Sequence, residues 1–440
     1  MTGLFDGTFA RGGAALAVTD DAWFRALLEV EAALARAAAR VGLVATTAAD
    51  AVTKAAADPG RLDLATVVAR AADAGNPVTP LVRALQDAVG DDAARAVHVG
   101  ATSQDILDTA LVLLARNAIS AIDADLTAAA VAAARLAAAH RDDVVMGRTL
   151  MQQALPTTFG LKAAGWLAGL DGARLRLAEV VASLPVQYGG AAGTLAASSG
   201  SGTALRTALA EELALADTAV PWHTVRLPIA DLAGALGAAA GVVATIAVDV
   251  VLMAQTEVGE VSEGGARGGS SAMPHKANPV AAISARACAR RAPGLVATLF
   301  GAMEQEHERA AGAWHSEWPT LTGLLTTVGS AAAWLAESLD GLRPDTARMA
   351  ATVAAARDPE LAGALAAALA PTLGAGAAHD AAAQATREAR DTGRPLREVL
   401  AGRTDVDVAA LLDTAPDTGE AGAQVDAVLA DHARLTEGTA

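Results

Sequence analysis

The sequence predicts an all-α protein in three helical parts, and three observations carry that reading. Hydrophobic residues fill 53% of the 440 positions while aromatics reach only 3%; alanine makes up most of the difference, and it is the strongest helix former. The run from Gln104 to His140 holds neither Gly nor Pro, the two residues that stop helices. Strand formers are scarce, with one Tyr and five Phe, which argues against a sandwich or barrel. The length suggests about two to three domains and a core large enough to fold without a disulfide or metal staple.

The first part, 1–97, reads as shorter helices. Asp20 or Asp21 caps one that runs through Trp23, Leu27, Val30, Leu34 and Ala38 at helical spacing, and Gly42 ends it. Breakers follow at Asp58-Pro59-Gly60 and Gly75-Asn76-Pro77. The central part, 98–342, reads as long helices. Ser103 is a good N-cap for Gln104–His140, a helix of about 55 Å at 1.5 Å per residue. Further stretches follow at about 157–183, 229–262, 278–309 and 318–341, and such helices in series suggest a bundle with short connections. In the last part, 343–440, the helices shorten again, with breaks at Pro371, Gly374, Gly376, Gly393-Arg394-Pro395 and Pro416. Leu232 to Val248 carries no charge and lies at the lower edge of membrane-spanning length. Gln255, Glu257 and Glu260 continue it at helical spacing, so a helix buried in a bundle is expected, with no membrane partner.

Net charge is −16 and the pI about 4.9. No nucleic-acid partner is expected, since such a protein shows a basic patch or stripe; an anionic substrate remains open through a local cationic pocket. A single cysteine, Cys288, excludes an internal disulfide and a thiolate metal cluster and suits a reducing compartment, the cytoplasm. Met1 to Gly13 includes Asp6 and no apolar segment of the kind a signal peptide needs. The histidines do not pair at ligand spacing, so no metal and no cofactor are expected.

Three stretches are more polar than helix connections require. Residues 263–279 place four glycines in six positions, then Ser270, Ser271, Met273, His275, Lys276 and Asn278. A mobile backbone with polar groups suits an active-site lid. The whole chain has three lysines against 30 arginines, so Lys276 in a glycine loop points to a need for a compact ammonium. In His98-Val99-Gly100-Ala101-Thr102-Ser103-Gln104-Asp105, a helix start accounts for Ser103 and Asp105 but not for His98, Thr102 and Gln104. The third stretch, Gly147 to Pro156, carries Thr149 and Gln152 and reads equally well as an ordinary interhelix connection.

Together these stretches resemble the fumarase/aspartase superfamily. Ser270-Ser271-Ala272-Met273-Pro274-His275-Lys276-Ala277-Asn278-Pro279 is similar to its signature loop, Thr102-Ser103-Gln104-Asp105 to its Thr-Ser-x-Asp segment, and Gly147–Pro156 to its Gly-x-Thr-x-x-Gln segment, in the family's order. The resemblance implies a homotetramer around a twenty-helix core, with each active site drawing the three segments from three subunits. Most lyases of the superfamily carry a His after Gly-x-Thr; here that position is Leu150. Water and amines leave poorly unless protonated, whereas a carboxylate, with a conjugate-acid pKa of about 4, needs no such acid. The resemblance therefore narrows to the carboxymuconate cycloisomerase group. His98 to Asp105, Gln152-Gln153-Ala154-Leu155-Pro156, Pro221 to Arg226, Gln305 to Arg309 with Trp314 and Trp318, and Leu4-Phe5-Asp6 are similar to that group, and Ala277 departs from it where Arg is expected.

The implied reaction is lactonisation of 3-carboxy-cis,cis-muconate through an aci-carboxylate, with a small polycarboxylate as the substrate. The resemblance gives Ser270 the proton-transfer role, with Lys276 and His98 as further catalytic residues. Thr102, Ser103, Thr149, Gln152, Asn278, Ser271, Met273, Arg226 and Arg309 are implied for substrate binding, the two arginines competing with an ion-pair reading. The alternatives are another fumarate-releasing lyase, adenylosuccinate lyase first, and a non-catalytic helical scaffold. A purine substrate separates the first, and the complete Ser270, Lys276 and Asn278 set argues against the second.

Overall fold

The computed structural model describes residues 3–264, 268–269, 273, 276–355, 358–401 and 416–437. Helices come in the order α1 (Asp6–Phe9), α2 (Gly13–Leu16), α3 (Asp20–Arg40), α4 (Thr46–Ala56), α5 (Leu64–Ala74), α6 (Val78–Val89) and α7 (Ser103–Ala139). A hairpin of β1 (Val144–Thr149) and β2 (Gln152–Thr158) follows, then α8 (Phe159–Ser183), α9 (Gly202–Leu213), α10 (Leu227–Met253) and β3 (Val261–Glu263). The chain continues through α11 (Val280–Ala289), α12 (Ala292–Gly301), α13 (Ala313–Asp340), β4 (Leu342–Pro344), α14 (Thr346–Ala355), α15 (Asp358–Leu373), α16 (Ala375–Thr392), α17 (Leu396–Leu400) and α18 (Ala421–Glu437). The described residues are thus mostly helical, with two small antiparallel strand pairs among them, β1–β2 and β3–β4.

The chain divides into two compact units. The first holds Met1–Ala129, Leu170–Val248 and Ala281–Ser338. In it, α3 packs against α4 and α9 and buries Leu27, Val30, Leu34 and Ala38. Its cap is Thr19, one residue before the expected acids. The Thr19 hydroxyl accepts from the Ala22 N–H, which leaves Asp20 and Asp21 in the first turn, where they complement the helix dipole. From Gln104 to Ala115 every residue of α7 is buried, the apolar ones spread round every face and Gln104, Asp105, Asp108 and Thr109 buried among them.

The second unit holds Ala130–Gly169, Asp249–Val280 and Leu339–Ala440. There β1 packs against α14, and α15, α16 and α17 share a core of Leu361, Leu365, Ala382, Leu396, Val399 and Leu400.

Three boundaries differ from expectation, each for a local reason. The 278–309 stretch is two helices, α11 and α12, because Pro293 at the second helix's start cannot continue the first. The 229–262 stretch ends at Met253, where the Gln255 amide caps the Leu252 carbonyl and Gly259 turns left-handed at φ +63°. The 147–156 connection is a β-hairpin. Its two-residue turn, Leu150-Met151, takes φ of +51° and +66°, the left-handed pair that a type I′ turn requires.

Helix α10 is long and apolar enough, by length and composition, to cross a membrane, and 44% of its most apolar window is buried. The buried share is one face, with Leu232, Leu236, Ala239, Val243, Ile246 and Val250 at helical spacing. Small residues, Gly234, Ala238, Gly241 and Thr245, line an exposed stripe.

Candidate functional site

In the first unit the polar groups converge on the N-terminal end of α7. Asp105, 1% exposed, organises them. It accepts the N–H groups of Thr102 (2.9 Å), Gly189 (3.0 Å) and Gly190 (2.9 Å), and the Nε2–H of His223 (2.7 Å). A buried carboxylate needs such partners. One side chain therefore ties the 98–105 segment to the 187–190 turn and to the entrance of α10.

The same turn clamps the other side of the segment. The Tyr188 hydroxyl donates to the Val99 carbonyl (2.9 Å) and pairs with the Ser198 hydroxyl (2.8 Å). Burial pushes that phenol up to about 12, so it stays neutral. Gly100 sits beneath them at φ +65°, and a Cβ there would lie 2.6 Å from the Tyr188 hydroxyl and 2.7 Å from that of Ser198. Gly100→Ala is expected to destabilise the protein by about 1–3 kcal/mol; thermal unfolding checks this, and a loss under about 0.5 kcal/mol, the range of neutral surface changes, would deny that this turn is over-determined.

Thr102 and Ser103 are half-buried, and their hydroxyls have no hydrogen-bond partner among the described residues. They sit where the first N–H groups of α7 lack helical carbonyls, a place suited to an anion. Gln104 is not free: its amide donates to Asp108 (3.1 Å) and to the His223 carbonyl (2.8 Å). Its Oε1 accepts from Arg309 Nε at 3.1 Å, so half-buried Arg309 is held at the edge of this cluster.

Arg226 is placed differently from the substrate contact expected of it. It is 1% exposed and paired on both sides, to Asp108 through Nη1 (2.7 Å) and Nη2 (3.1 Å), and to Glu317 through Nε (3.0 Å) and Nη2 (2.5 Å). The Trp222 ring lies 4.6 Å below its guanidinium carbon. With its donors engaged and its surface covered, this arginine braces the cluster and is not placed to meet a substrate. Arg226 stands in a buried ion pair with both acids.

Two carboxylates share that one guanidinium. Burial raises Glu317 above the usual carboxylate range; Arg226 pulls it back down, and Asp108 adds to the rise.

In the second unit the hairpin sets Thr149 directly opposite Gln152 at its tip, both exposed. Leu150, in the turn between them, is 97% exposed. Arg148 anchors the hairpin by a two-pronged pair with Glu260, Nη1–Oε2 2.9 Å and Nη2–Oε1 2.8 Å. Glu260 is fully buried and leads into β3, the strand before the glycine loop. That clasp joins two of the three polar stretches, and single-residue reading of the sequence missed it.

The loop is pinched at its base. The Gly268 carbonyl accepts both the backbone N–H (3.1 Å) and the side-chain amide (2.9 Å) of Asn278. Gly268 adopts φ +88°, and a Cβ there would fall 2.2 Å from the Asn278 carbonyl oxygen. One amide hydrogen of Asn278 thus closes the loop, leaving its Oδ1 and second hydrogen for other partners. Lys276 donates its backbone N–H to the Met273 carbonyl (3.0 Å), and both side chains are exposed. Ser270 and Ser271 lie outside the described residues.

His98 is the remaining site candidate. It stands at φ +59° with its ring against Glu31. Among the described residues, no group of three His, Cys, Asp or Glu side chains gathers as metal ligands would.

The chain matches the lyase family model over residues 14–294. It is 46% identical to nitrosuccinate lyase of Streptomyces davaonensis, over 89% of this chain and 85% of that protein. It is 43% identical to 3-carboxy-cis,cis-muconate cycloisomerase of Bradyrhizobium diazoefficiens, over 94% of both. In structure it is similar to the 3-carboxy-cis,cis-muconate lactonizing enzyme of Pseudomonas putida, with a TM-score of 0.90, 39% identity, and 98% of this chain and 99% of that one covered.

Proposed function

The chain belongs to the lyase family, within the fumarase/aspartase superfamily, and we propose that it interconverts 3-carboxy-cis,cis-muconate and 4-carboxymuconolactone. The observation that carries this is Leu150, an apolar side chain 97% exposed at the hairpin tip, where most lyases of the superfamily carry a histidine. A departing carboxylate needs no proton, so a site without that imidazole still suits a lactone. In lactonisation a substrate carboxylate oxygen bonds to the ring-closing carbon, and the carbon alpha to another carboxyl group takes a proton. The demanding species is the doubly charged aci-carboxylate between those steps, which fixed donors must stabilise.

The residues divide by what they can offer. Ser270 gives the proton in lactonisation and removes it in reverse. Lys276 and the remaining capacity of Asn278 meet substrate carboxylates, with Ser271 and Met273 beside them. Thr102, Ser103 and the α7 N-terminus hold one carboxylate, Thr149 and Gln152 another, and His98 and Arg309 border the first. The assembly is a homotetramer of three-part subunits (1–97, 98–342, 343–440), each site drawing its segments from three chains, in the cytoplasm. The exposed small-residue stripe of α10 supports that assembly, because it lets helices approach closely.

The second reading is nitrosuccinate lyase, favoured by the 46% identical relative of that name. Nitrite, like a carboxylate, leaves without a proton, so Leu150 suits both. Purified protein mixed with 3-carboxy-cis,cis-muconate is expected to bleach the ultraviolet band of the conjugated diene. A stable band, with nitrite released from nitrosuccinate instead, would replace the first reading with the second.

A further inference from the structure

Glu31 and His98 stand 67 positions apart in sequence, and nothing in the sequence joins them. Glu31 lies midway along α3, fully buried beside Leu27, Leu28, Val30 and Leu34. A carboxylate there requires a partner, and both of its oxygens turn to one residue. Oε2 accepts the His98 backbone N–H at 2.9 Å, and Oε1 meets the ring Nδ1 at 2.7 Å. Among the described residues Glu31 has no other partner. The ring hydrogen is thereby fixed on Nδ1.

The backbone of His98 is left-handed, a strained state that persists where surroundings over-determine it. The carboxylate grips it from both ends. The ring's other nitrogen, Nε2, has no partner among the described residues, and the side chain is 20% exposed. It stands four positions before Thr102 and five before Ser103, whose hydroxyls likewise have no partner among the described residues.

We propose that Glu31 is a positioning residue of the active site: it holds His98 with Nδ1–H turned inward, as an imidazolium whose Nε2–H is presented to a carboxylate of the substrate. The inference rests on the site reading above. It gives a site that has Leu150 at the usual histidine position a fixed cation on another segment. The groups facing the ring agree with the charge. Burial alone would push the imidazole down, but the hydrogen bond and charge of Glu31, with the charge of Asp105 at the start of α7, outweigh it and hold His98 above its ordinary value. His223 is bonded to Asp105, and Tyr188, whose hydroxyl holds the Val99 carbonyl, stays neutral.

The test reads His98 without any substrate. Exchange of the imidazole C2 proton, followed residue by residue by mass spectrometry, gives its titration midpoint in the intact protein. The wild-type midpoint is expected above about 6.5, the ordinary histidine value. In Glu31→Gln, which keeps the shape and an acceptor oxygen, it is expected to fall by about one unit or more, and Glu31→Asp is expected to restore part of the shift. With 3-carboxy-cis,cis-muconate, Glu31→Gln is expected to raise KM up to about tenfold at pH values between the variant and wild-type midpoints while kcat changes less than about twofold, the mark of lost uniform binding. An unchanged midpoint in Glu31→Gln would overturn the positioning role, and a shifted midpoint with an unaltered KM profile would overturn the substrate contact. Should Glu31→Gln fail to fold, a wild-type midpoint at or below the ordinary value overturns the proposal by itself. Inactivity toward this substrate with the expected titration would point to the reaction, not to the pair.

Discussion

Arg226→Ala is expected to lower stability by about 3–5 kcal/mol, the usual result of removing one member of a buried ion pair, read as a fall in the denaturant midpoint. The side chains of Arg226, Asp108 and Glu317 are all fully buried. Alanine would leave two carboxylates without a cation, held by neutral donors: Trp314 Nε1 (2.9 Å), Gln104 Nε2 (3.1 Å) and Gln187 Nε2 (3.2 Å) on Asp108, and Gln305 Nε2 (2.9 Å) on Glu317. Those donors cannot offset a charge. Glu317→Gln is the contrasting change. Burial and Asp108 already raise the Glu317 carboxyl, and a carboxyl raised in the folded state contributes stability that is full below its unfolded pKa of about 4.3. That contribution is lost as pH rises through the raised value. At neutral pH the glutamine variant is expected to lie within about 1 kcal/mol of wild type, because one carboxylate then matches one guanidinium. Equal losses in the two variants would mean that the pairing, not the charge balance, sets the cost.

The sequence showed the parts of this protein that depend on neighbours along the chain. Helix α7 was legible because nothing between Gln104 and His140 interrupts it, and α13 because Leu, Val and Ala recur at helical spacing. The hairpin was not legible. Its strands are short, Gly147 and Pro156 interrupt them, and the turn residues are Leu and Met rather than the Asn-Gly pair that signals a type I′ turn. The polar frame was hidden for another reason. Glu31, Asp108, Glu260 and Glu317 are ordinary acids in the sequence, and only tertiary contact makes them buried partners of His98, Arg226 and Arg148. One signal was available. Gln104, Asp105, Asp108 and Thr109 stand within Gln104–Ala115, a stretch otherwise apolar on every face, and polar groups in such a helix must be bonded internally.

Ser270→Ala is expected to lower kcat by about 10²–10⁴-fold, the range for a positioned proton-transfer group, with little change in KM for 3-carboxy-cis,cis-muconate. A serine hydroxyl is far too weak a base in water, so the proposed role requires a stabilised alkoxide, and backbone N–H groups together with Lys276 are the means that the loop's sequence offers. That makes Lys276 the paired test. Its exposed ammonium stands in a chain that otherwise uses arginine for 30 of its 33 strong cations. Lys276→Arg is expected to fail as a rescue, losing about 10²-fold or more in kcat, because a planar fork cannot take the place of a compact point charge. If Ser270 and Lys276 act as one unit, the double variant Ser270→Ala/Lys276→Ala is expected to be no slower than the worse single variant, since groups that serve one step are strongly non-additive. Full additivity would separate them, leaving Lys276 to bind a carboxylate and the alkoxide to be held by the loop backbone alone.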